Sequence, residues 1–365
     1  MNKLLFEKII QCGGSITYSD YIDLVLYDPE HGYYTKNQNK IGPKGDFYTS
    51  SSVSDCFAKV FARRFISLVE QSLIEPAFCE IGGGTGKFLS SFLSEWKKQS
   101  PKTYEILEVT VIDKSPFHLE LQRENSGLKS IQFLERLEEL EASFNGIFFS
   151  NELFDALPVH VIEKRNGELF EVWIEIGEKD TVVEQCLPLA NEEIKNYLIW
   201  QKLQINEGQR IEIPLKMLEL LDVIDQKIKS GLIITVDYGY TNEEWSHPVH
   251  HNGSLRGYYK HRMIQDPLQH PFNMDLTTHI HLDAYRSKAS LFTWELIVNE
   301  KQDEFLVNAG VLDLLQDTNN RDPFSPQSKQ NRSIRSLIMS GGLSSAFDVM
   351  IHSKGVSVRR EDIIS

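Results

Sequence analysis

Residues 77–86 have the sequence AFCEIGGGTG, in which a short apolar run leads directly into a cluster of glycines. Five large apolar residues follow with the period of a helix: Phe88, Leu89, Phe92, Leu93 and Trp96. This order predicts a strand, a tight turn and a helix. Glycines at such a turn let the backbone bend sharply and approach a ligand without collisions of Cβ atoms.

Three further apolar runs have the length of strands, and each ends at polar residues. They are 109–112 (VTVI), 146–150 (GIFFS) and 232–236 (LIITV). Helical patterns lie between them, one opened by Ser115 and Pro116 and another at about 214–230. Strands that alternate with helices predict an α/β fold, a Rossmann-like core whose mostly parallel sheet is covered by helices on both faces.

The remaining sequence divides the chain into four segments. They are an N-terminal cap at 1–75, the half of the core with the glycine turn at 76–158, an insertion at 159–230, and the rest of the core at 231–365. The insertion alternates around Asn166 and Gly167, which is a hairpin signal. The last segment opens with a His- and Tyr-rich loop at 238–280, and long loops in compact enzymes are commonly part of a site.

The composition limits the classes of function. Among 365 residues, 41% are hydrophobic and 25% charged, as in ordinary globular proteins. The net charge of −14 disfavours nucleic acid and anionic membranes as partners, and no run of 18 apolar residues predicts a membrane span. The four cysteines form no paired motif, so we expect reduced thiols and a cytoplasmic protein. The histidines between 247 and 281 lack metal-site spacing, so we predict no metal.

The glycine turn is preceded by an acid. Gly82, Gly84 and Gly86 form G-x-G-x-G, with Glu80 before them, instead of the dinucleotide pattern G-x-G-x-x-G. Glu80 would repel a pyrophosphate but suits a cationic nucleoside with an amino-acid moiety, which describes S-adenosylmethionine. Asp113, after the second strand, is placed to accept hydrogen bonds from ribose hydroxyls. The alternative is that the glycines only make a tight turn.

A second polar turn follows the strand at 146–150. Its sequence, SNELFDALP, places Asn151, Glu152 and Asp155 beside the aromatic Phe154. In methyltransferases that act on amino groups, a similar turn holds the nitrogen with oxygens while the ring packs against the methyl donor. Carboxylates here also suit a guanidinium, which arrives charged and must be oriented. We therefore predict Asn151, Glu152 and Asp155 as catalytic; the alternative is that this turn only caps the next element.

Several short motifs recur together with these two turns. They are LYDP at 26–29, GYY at 32–34, GDFYT at 45–49, VDYG at 236–239, LRGY at 255–258, and DLT at 275–277 with His279. With them the sequence resembles, over nearly its whole length, the MidA-like family of S-adenosylmethionine-dependent methyltransferases. The resemblance implies a Rossmann-like methyltransferase core, S-adenosylmethionine as cofactor, and protein arginine as the acceptor in eukaryotic members. We also predict that Asp46, in the GDFYT motif, binds the cofactor.

The sequence departs from the family pattern at four positions, of which Ser254 in place of a threonine is a mild change. Ser51 and Ser52 stand where a proline and a glutamate are usual, and Phe272 replaces a glycine. We predict a methyltransferase that acts on a side-chain nitrogen of a protein substrate, with arginine favoured. The alternatives are a non-catalytic assembly protein that keeps a nucleoside pocket and a nicotinamide-dependent dehydrogenase, the latter disfavoured by Glu80.

Two groups of side chains have more than one interpretation. Tyr33, Tyr34 and Phe47 either cover the nucleoside or fill the core of the cap. His279, close to Asp275, either orients the polar turn at 150–158 or belongs to a segment in which Asp275 only caps a helix.

Overall fold

The computed structural model describes residues 2–36, 55–126, 131–317, 322–339, 341 and 343–364. The helices are α1 (Asn2–Gln11), α2 (Tyr18–Tyr27), α3 (Asp55–Glu70), α4 (Lys87–Gln99), α5 (Pro101–Glu105), α6 (Pro116–Ser126), α7 (Glu192–Gln201), α8 (Leu215–Lys227), α9 (Asn242–Trp245), α10 (Leu282–Leu291), α11 (Gln302–Asn308), α12 (Pro326–Ile338) and α13 (Arg360–Ile363). Among the residues in these ranges, no helix is long and apolar enough to cross a bilayer.

The strands, whose bounds follow, form three sheets. They are β1 (Ser15–Thr17), β2 (Ala77–Ile81), β3 (Glu108–Ile112), β4 (Ile131–Leu134), β5 (Phe144–Asn151), β6 (His160–Arg165), β7 (Glu168–Ile176), β8 (Val182–Pro188), β9 (Arg210–Ile213), β10 (Ile228–Tyr240), β11 (Arg256–Tyr259), β12 (Arg262–Ile264), β13 (Asp275–Thr277), β14 (Ile280–His281), β15 (Glu295–Lys301) and β16 (Phe347–Lys354).

The main sheet has the order β15-β16-β10-β5-β2-β3-β4, and β14 pairs with the end of β10. Five neighbouring strands of this sheet are parallel to one another: β10, β5, β2, β3 and β4. Strand β16 is antiparallel and lies between β10 and β15. The predicted α/β fold with a mostly parallel sheet is therefore confirmed.

Both faces of this sheet are buried against helices, and successive side chains of a strand point to opposite faces. Phe78 of β2 belongs to the hydrophobic core formed with α3 and α4, where its ring stacks on Phe92 at 4.3 Å. Cys79, the next residue, belongs to a second core that includes residues of α8 and α10. This is why each central strand reads as a continuous apolar run instead of an alternating one.

The insertion folds as a second sheet, with the order β1-β7-β6-β9 and with β8 paired to β7. Its predicted hairpin is confirmed: Asn166 and Gly167, both at positive φ, join β6 to β7. Strand β1 comes from the N-terminal segment and pairs Ile16 with Ile174. The cap and the insertion therefore share one hydrophobic core, which local sequence patterns do not show.

The segment at 238–280, predicted as an aperiodic loop, contains the third sheet, with the order β12-β11-β13. Strands of three or four residues are too short to show a period, which is why the sequence reading missed them. Similarly, the helix predicted to reach residue 230 ends at Lys227, and Ile228 already begins β10.

Candidate active site

The carboxyl ends of the parallel strands open on a cavity of about 1190 Å³. Its walls come from the glycine turn after β2, the residues after β3, the turn after β5, the end of β10 and the sheet β12-β11-β13. Among the predicted site residues, those that line it are Gly82, Gly84, Asp113, Asn151, Glu152 and Asp155. The volume exceeds the roughly 300–1,000 Å³ that is usual for one small ligand, so the cavity has room for two reactants.

The glycine turn is a run of left-handed backbone. Gly82, Gly84 and Gly86 have φ of 74°, 53° and 73°. A Cβ on Gly82 would lie 2.9 Å from Leu153 Cδ1, and a Cβ on Gly86 would lie 2.8 Å from Gln122 Cγ. Gly82 and Gly84 face the cavity, whereas Gly86 lies behind it, where α4 begins against α6.

Asp113 is held in place on the cavity wall by backbone donors. Its Oδ2 accepts from the Gly84 N–H at 3.1 Å, and its Oδ1 accepts from the Ser115 N–H at 2.9 Å. The carboxylate therefore ties the turn after β3 to the glycine turn, so both surfaces are fixed before a ligand arrives.

Glu80 is not among the cavity-lining residues, and its contact with the cofactor stays a prediction. It lies inside β2 and is only 3% exposed, beneath the turn, where a Cβ on Gly83 would come 2.7 Å from its Oε2. No described donor reaches that oxygen. Burial, together with nearby Asp113, raises the pKa of Glu80 to about 8.

The turn after β5 begins with a strained residue. Glu152 has φ of 52°, a left-handed conformation that costs a non-glycine residue about 1–3 kcal/mol. Its N–H donates to the Val236 carbonyl at 2.9 Å, and its Oε1 accepts from Asn151 Nδ2 at 3.1 Å. The Asn151 Oδ1 is buried, and no donor in the described part of the chain reaches it.

Asp155 is 7% exposed, and only one of its two carboxylate oxygens accepts hydrogen bonds from side chains that the structure describes. Its Oδ2 accepts from the hydroxyl groups of Tyr238 and Thr277, which also bond to each other. Its Oδ1 is buried and has no donor among the described residues. Burial raises the pKa of this carboxyl, and the two hydroxyl donors, the charge of Arg256 and the Ala156 backbone act in the opposite direction.

Asp237, which we did not predict as a site residue, supports this turn from inside the sheet. Its Oδ2 accepts from the N–H groups of Phe154 at 2.9 Å and Asp155 at 3.3 Å. It is fully buried, and burial followed by the proximity of Asp155 raises its pKa well above the ordinary value. The signal was present in the sequence, because Asp237 and Tyr238 follow a buried strand in the motif at 236–239.

Aromatic residues of the cap reach the cavity. Tyr34 and Tyr27 stack at 5.5 Å and both line it, and the Tyr34 hydroxyl donates to Asp275 Oδ1 at 2.6 Å. Tyr33 is instead buried in the core of the cap. Phe154 also lies in a hydrophobic core and is not among the cavity-lining residues.

Other predicted residues take different positions. The ring of His279 stacks on Tyr240 at 4.0 Å and contacts Arg256, so it does not orient the polar turn directly. Asp275 lies in strand β13 and caps no helix. Asp46, Phe47, Ser51 and Ser52 lie outside the described residues. Within the described ranges, no three His, Cys, Asp or Glu residues are grouped to hold a metal ion.

A mostly parallel sheet with a glycine turn after one strand, an acid after the next and a cavity above both defines a Rossmann-like, nucleoside-binding class of protein, to which the S-adenosylmethionine-dependent methyltransferases belong. The comparison of sequences agrees. The chain belongs to the family described as "Putative S-adenosyl-L-methionine-dependent methyltransferase", whose sequence model matches residues 57–296.

Individual relatives support the same class. The mitochondrial protein arginine methyltransferase NDUFAF7 of Mus musculus is 25% identical over 83% of this chain and 72% of its own length. Its Drosophila melanogaster homologue is 24% identical over 78% of this chain and 68% of its own length. A crystal structure from Burkholderia thailandensis, bound to S-adenosylhomocysteine, has a TM-score of 0.87 at 25% identity, over 99% of this chain and 93% of the other.

These findings identify the cofactor and correct one prediction. S-adenosylmethionine is the cofactor of this chain. The predicted cytoplasmic localisation is wrong, because it is contradicted by the mitochondrial names of the curated relatives. Reduced cysteines and a negative net charge were its only basis, and neither property distinguishes one reducing compartment from another.

Proposed function

We propose that this methyltransferase acts on a protein side-chain nitrogen, the guanidinium of arginine, and that Asn151, Glu152 and Asp155 hold the acceptor. The observation that carries the proposal is that Asn151 Oδ1 and Asp155 Oδ1 are buried acceptors without a described donor. Both residues line the cavity on one turn. Buried polar atoms are normally hydrogen-bonded, and a guanidinium brings five N–H donors in a planar fork.

Charge favours the same acceptor. Guanidinium remains protonated at every physiological pH, so the turn must orient a cation, and Glu152 and Asp155 supply carboxylates on the cavity wall. Because burial raises the pKa of Asp155, an arriving cation stabilises its ionised form. Tyr238 and Thr277 keep Asp155 Oδ2 occupied, which leaves Oδ1 for the acceptor.

The donor half of the cavity fits the cofactor. Gly82 and Gly84 line the cavity with backbone at positive φ, and Asp113 presents an oriented carboxylate for ribose hydroxyls. When bound, S-adenosylmethionine supplies an activated methyl group on a sulfonium. The residues of the chain then align the acceptor nitrogen, exclude water and stabilise charge.

The names of the relatives support arginine as the acceptor. The curated proteins from Mus musculus and Drosophila melanogaster are named protein arginine methyltransferases at 25% and 24% identity. The combination of that similarity with two unpartnered acceptor atoms on one turn favours arginine over other side chains.

The acceptor can be identified by transfer of an isotopically labelled methyl group. The purified protein is incubated with methyl-deuterated S-adenosylmethionine and proteins extracted from cells that lack the gene, and the products are hydrolysed and analysed by mass spectrometry. We expect label in methylarginine, and no such label with the Asp155→Asn variant. Label confined to lysine, to carboxyl groups or to small molecules would contradict the proposed acceptor.

A further inference from the structure

Arg256 is a cation on the cavity wall that neither half of the proposed reaction uses. It lies on β11, opposite Thr277 of β13, and its side chain is half-buried. Its Nε lies 3.3 Å from the Tyr258 hydroxyl, and its Nη1 lies 3.2 Å from His279 Nδ1. The guanidinium also lies 5.6 Å from the centre of the Tyr238 ring.

These three neighbours are neutral, although the charge of Arg256 also lowers the pKa of the Asp155 carboxyl, with which it forms no ion pair. Burial, followed by the charge of Arg256, lowers the pKa of His279 to about 2, so its ring nitrogen accepts a hydrogen bond without carrying a charge. In the described ranges no carboxylate forms an ion pair with Arg256. Two other partly buried cations are paired: Arg63 meets Glu95 at 2.7 Å, and Lys354 meets Asp225 at 2.6 Å, whereas Arg64 donates to the Ala309 carbonyl.

An unpaired guanidinium in a cavity calls for an anion from the ligand. Removing a cation from water is costly unless it is paired, and the planar fork of arginine matches a carboxylate with two parallel hydrogen bonds. Arg256 therefore points to a carboxylate among the reactants.

The order of strands indicates which reactant carries that carboxylate. The glycine turn follows β2 and Asp113 follows β3, whereas Tyr238, which Arg256 covers, lies on β10. Strand β5, with the acceptor turn, lies between β10 and β2. Neighbouring strands are about 4.8 Å apart, so Arg256 lies on the far side of the acceptor turn from the donor surface.

We propose that Arg256 binds the carboxylate of an aspartate or glutamate that lies close in sequence to the methylated residue. This proposal rests on the proposed function to the extent that the acceptor is a protein. A guanidinium acceptor alone would be repelled by Arg256, and an adjacent acid converts that repulsion into attraction. Arg256 is thus a specificity residue that selects arginines with acidic neighbours.

The test begins with the labelled proteins described above, whose methylated sites are located by mass spectrometry. The most strongly labelled site is synthesised as two peptides. One carries Glu or Asp beside the target residue, and the other carries Gln or Asn at that position. Methyl transfer to both peptides is measured with the wild type, Arg256→Gln and Arg256→Lys. The control is Arg165→Gln, because Arg165 lies on the exposed hairpin and pairs with Glu163. The affinity for S-adenosylhomocysteine is measured for all four proteins by isothermal titration.

For the wild type and Arg165→Gln we expect kcat/KM to be about tenfold or more higher for the acidic peptide, through KM and not kcat. Arg256→Gln should show less than about twofold preference, and Arg256→Lys an intermediate one because it keeps the charge but loses the fork. Affinity for S-adenosylhomocysteine should stay within about threefold.

Two results would overturn the inference. If the wild type shows no preference for the acidic peptide, the inference is wrong, whatever the variants show. If Arg256→Gln weakens S-adenosylhomocysteine by more than about tenfold, the carboxylate belongs to the donor's amino-acid moiety instead. The type of labelled residue separates this inference from the proposed function, since label on lysines with acidic neighbours contradicts arginine as acceptor but supports the role of Arg256.

Discussion

At the scale of single residues, Glu152 and Asp155 are the side chains on which methyl transfer should depend most. Glu152→Gln and Asp155→Asn remove charge at the acceptor turn without removing the glycine turn. We expect cofactor affinity within about threefold of wild type and a loss of methyl transfer of about 10²-fold or more, because both carboxylates act on acceptor alignment and charge. Isothermal titration of S-adenosylhomocysteine beside a transfer assay measures both quantities.

Asp113→Asn provides the opposite pattern and serves as the control. It should weaken the cofactor by about 1–3 kcal/mol, because a charge-assisted hydrogen bond is lost, and change turnover less at saturating donor. If Glu152→Gln and Asp155→Asn transfer methyl groups as fast as wild type and lose only about 0.5–2 kcal/mol of stability, the turn is a structural cap.

Glu80 makes the stability of the ligand-free protein depend on pH. Its pKa is about 8 in the fold against an ordinary 4.5, so folding favours its neutral form. The stability that comes from the neutral Glu80 is fully present below about pH 4.5 and is lost as the pH rises through about 8. Glu80→Gln lacks this loss, so its melting temperature relative to wild type should rise by several degrees between pH 5 and 9.

The matched control for this measurement is Glu168→Gln, which changes an exposed carboxylate at the start of β7 on the hairpin. Its melting temperature should follow that of wild type across the same pH range. A constant difference between Glu80→Gln and wild type would show that Glu80 does not titrate in this interval.

At the scale of elements, the glycine turn can be tested against another glycine of similar backbone conformation. Gly82 has φ of 74° and Gly167 has φ of 82°, so alanine strains the backbone at both, by about 1 kcal/mol. Only at Gly82 does the new Cβ meet a neighbour, Leu153, while the space around Gly167 is open. We expect Gly82→Ala to weaken S-adenosylhomocysteine at least about tenfold and Gly167→Ala to leave its affinity unchanged.

Equal affinities of the two alanine variants, measured by titration with circular dichroism as a check on folding, would mean that the ligand does not depend on this turn. Gly84→Val is a harsher version of the same test, since it places a branched side chain where Gly84 donates its N–H to Asp113. The prediction for Gly84→Val is loss of binding with the sheet still folded.

At the scale of the whole molecule, the fold should distinguish ligands by their charge and shape. S-adenosylmethionine and S-adenosylhomocysteine should raise the melting temperature, because a ligand at about 100 times its Kd stabilises the folded state by about 2.7 kcal/mol. NAD should not, because a pyrophosphate needs free N–H donors at the glycine turn, and the Gly84 N–H already donates to Asp113. An equal rise with NAD in a thermal-shift assay would contradict the proposed use of this turn.

The sequence by itself determined the features that depend on neighbouring residues. The apolar runs of β2, β3, β5 and β10, the glycine turn and the hairpin turn at Asn166 all have local causes: burial of both sheet faces and backbone with positive φ. The position of Asp113 and of the polar turn at 150–158 followed from the same strands, because the carboxyl ends of parallel strands share one edge.

Only the tertiary structure decided which side chains face one another across the cavity. Burial of Glu80 beneath the turn follows from the side of β2 that faces inward, and the hydrogen bonds of Tyr238 and Thr277 to Asp155 join residues 83 and 122 positions apart. That Arg256 forms no ion pair with a described carboxylate likewise depends on which elements surround it. The sheet β12-β11-β13 shows the same limit, because its strands are stabilised by partners and not by their own periodicity. Local patterns report the backbone, whereas the chemistry of a site depends on contacts that exist only after the chain has folded.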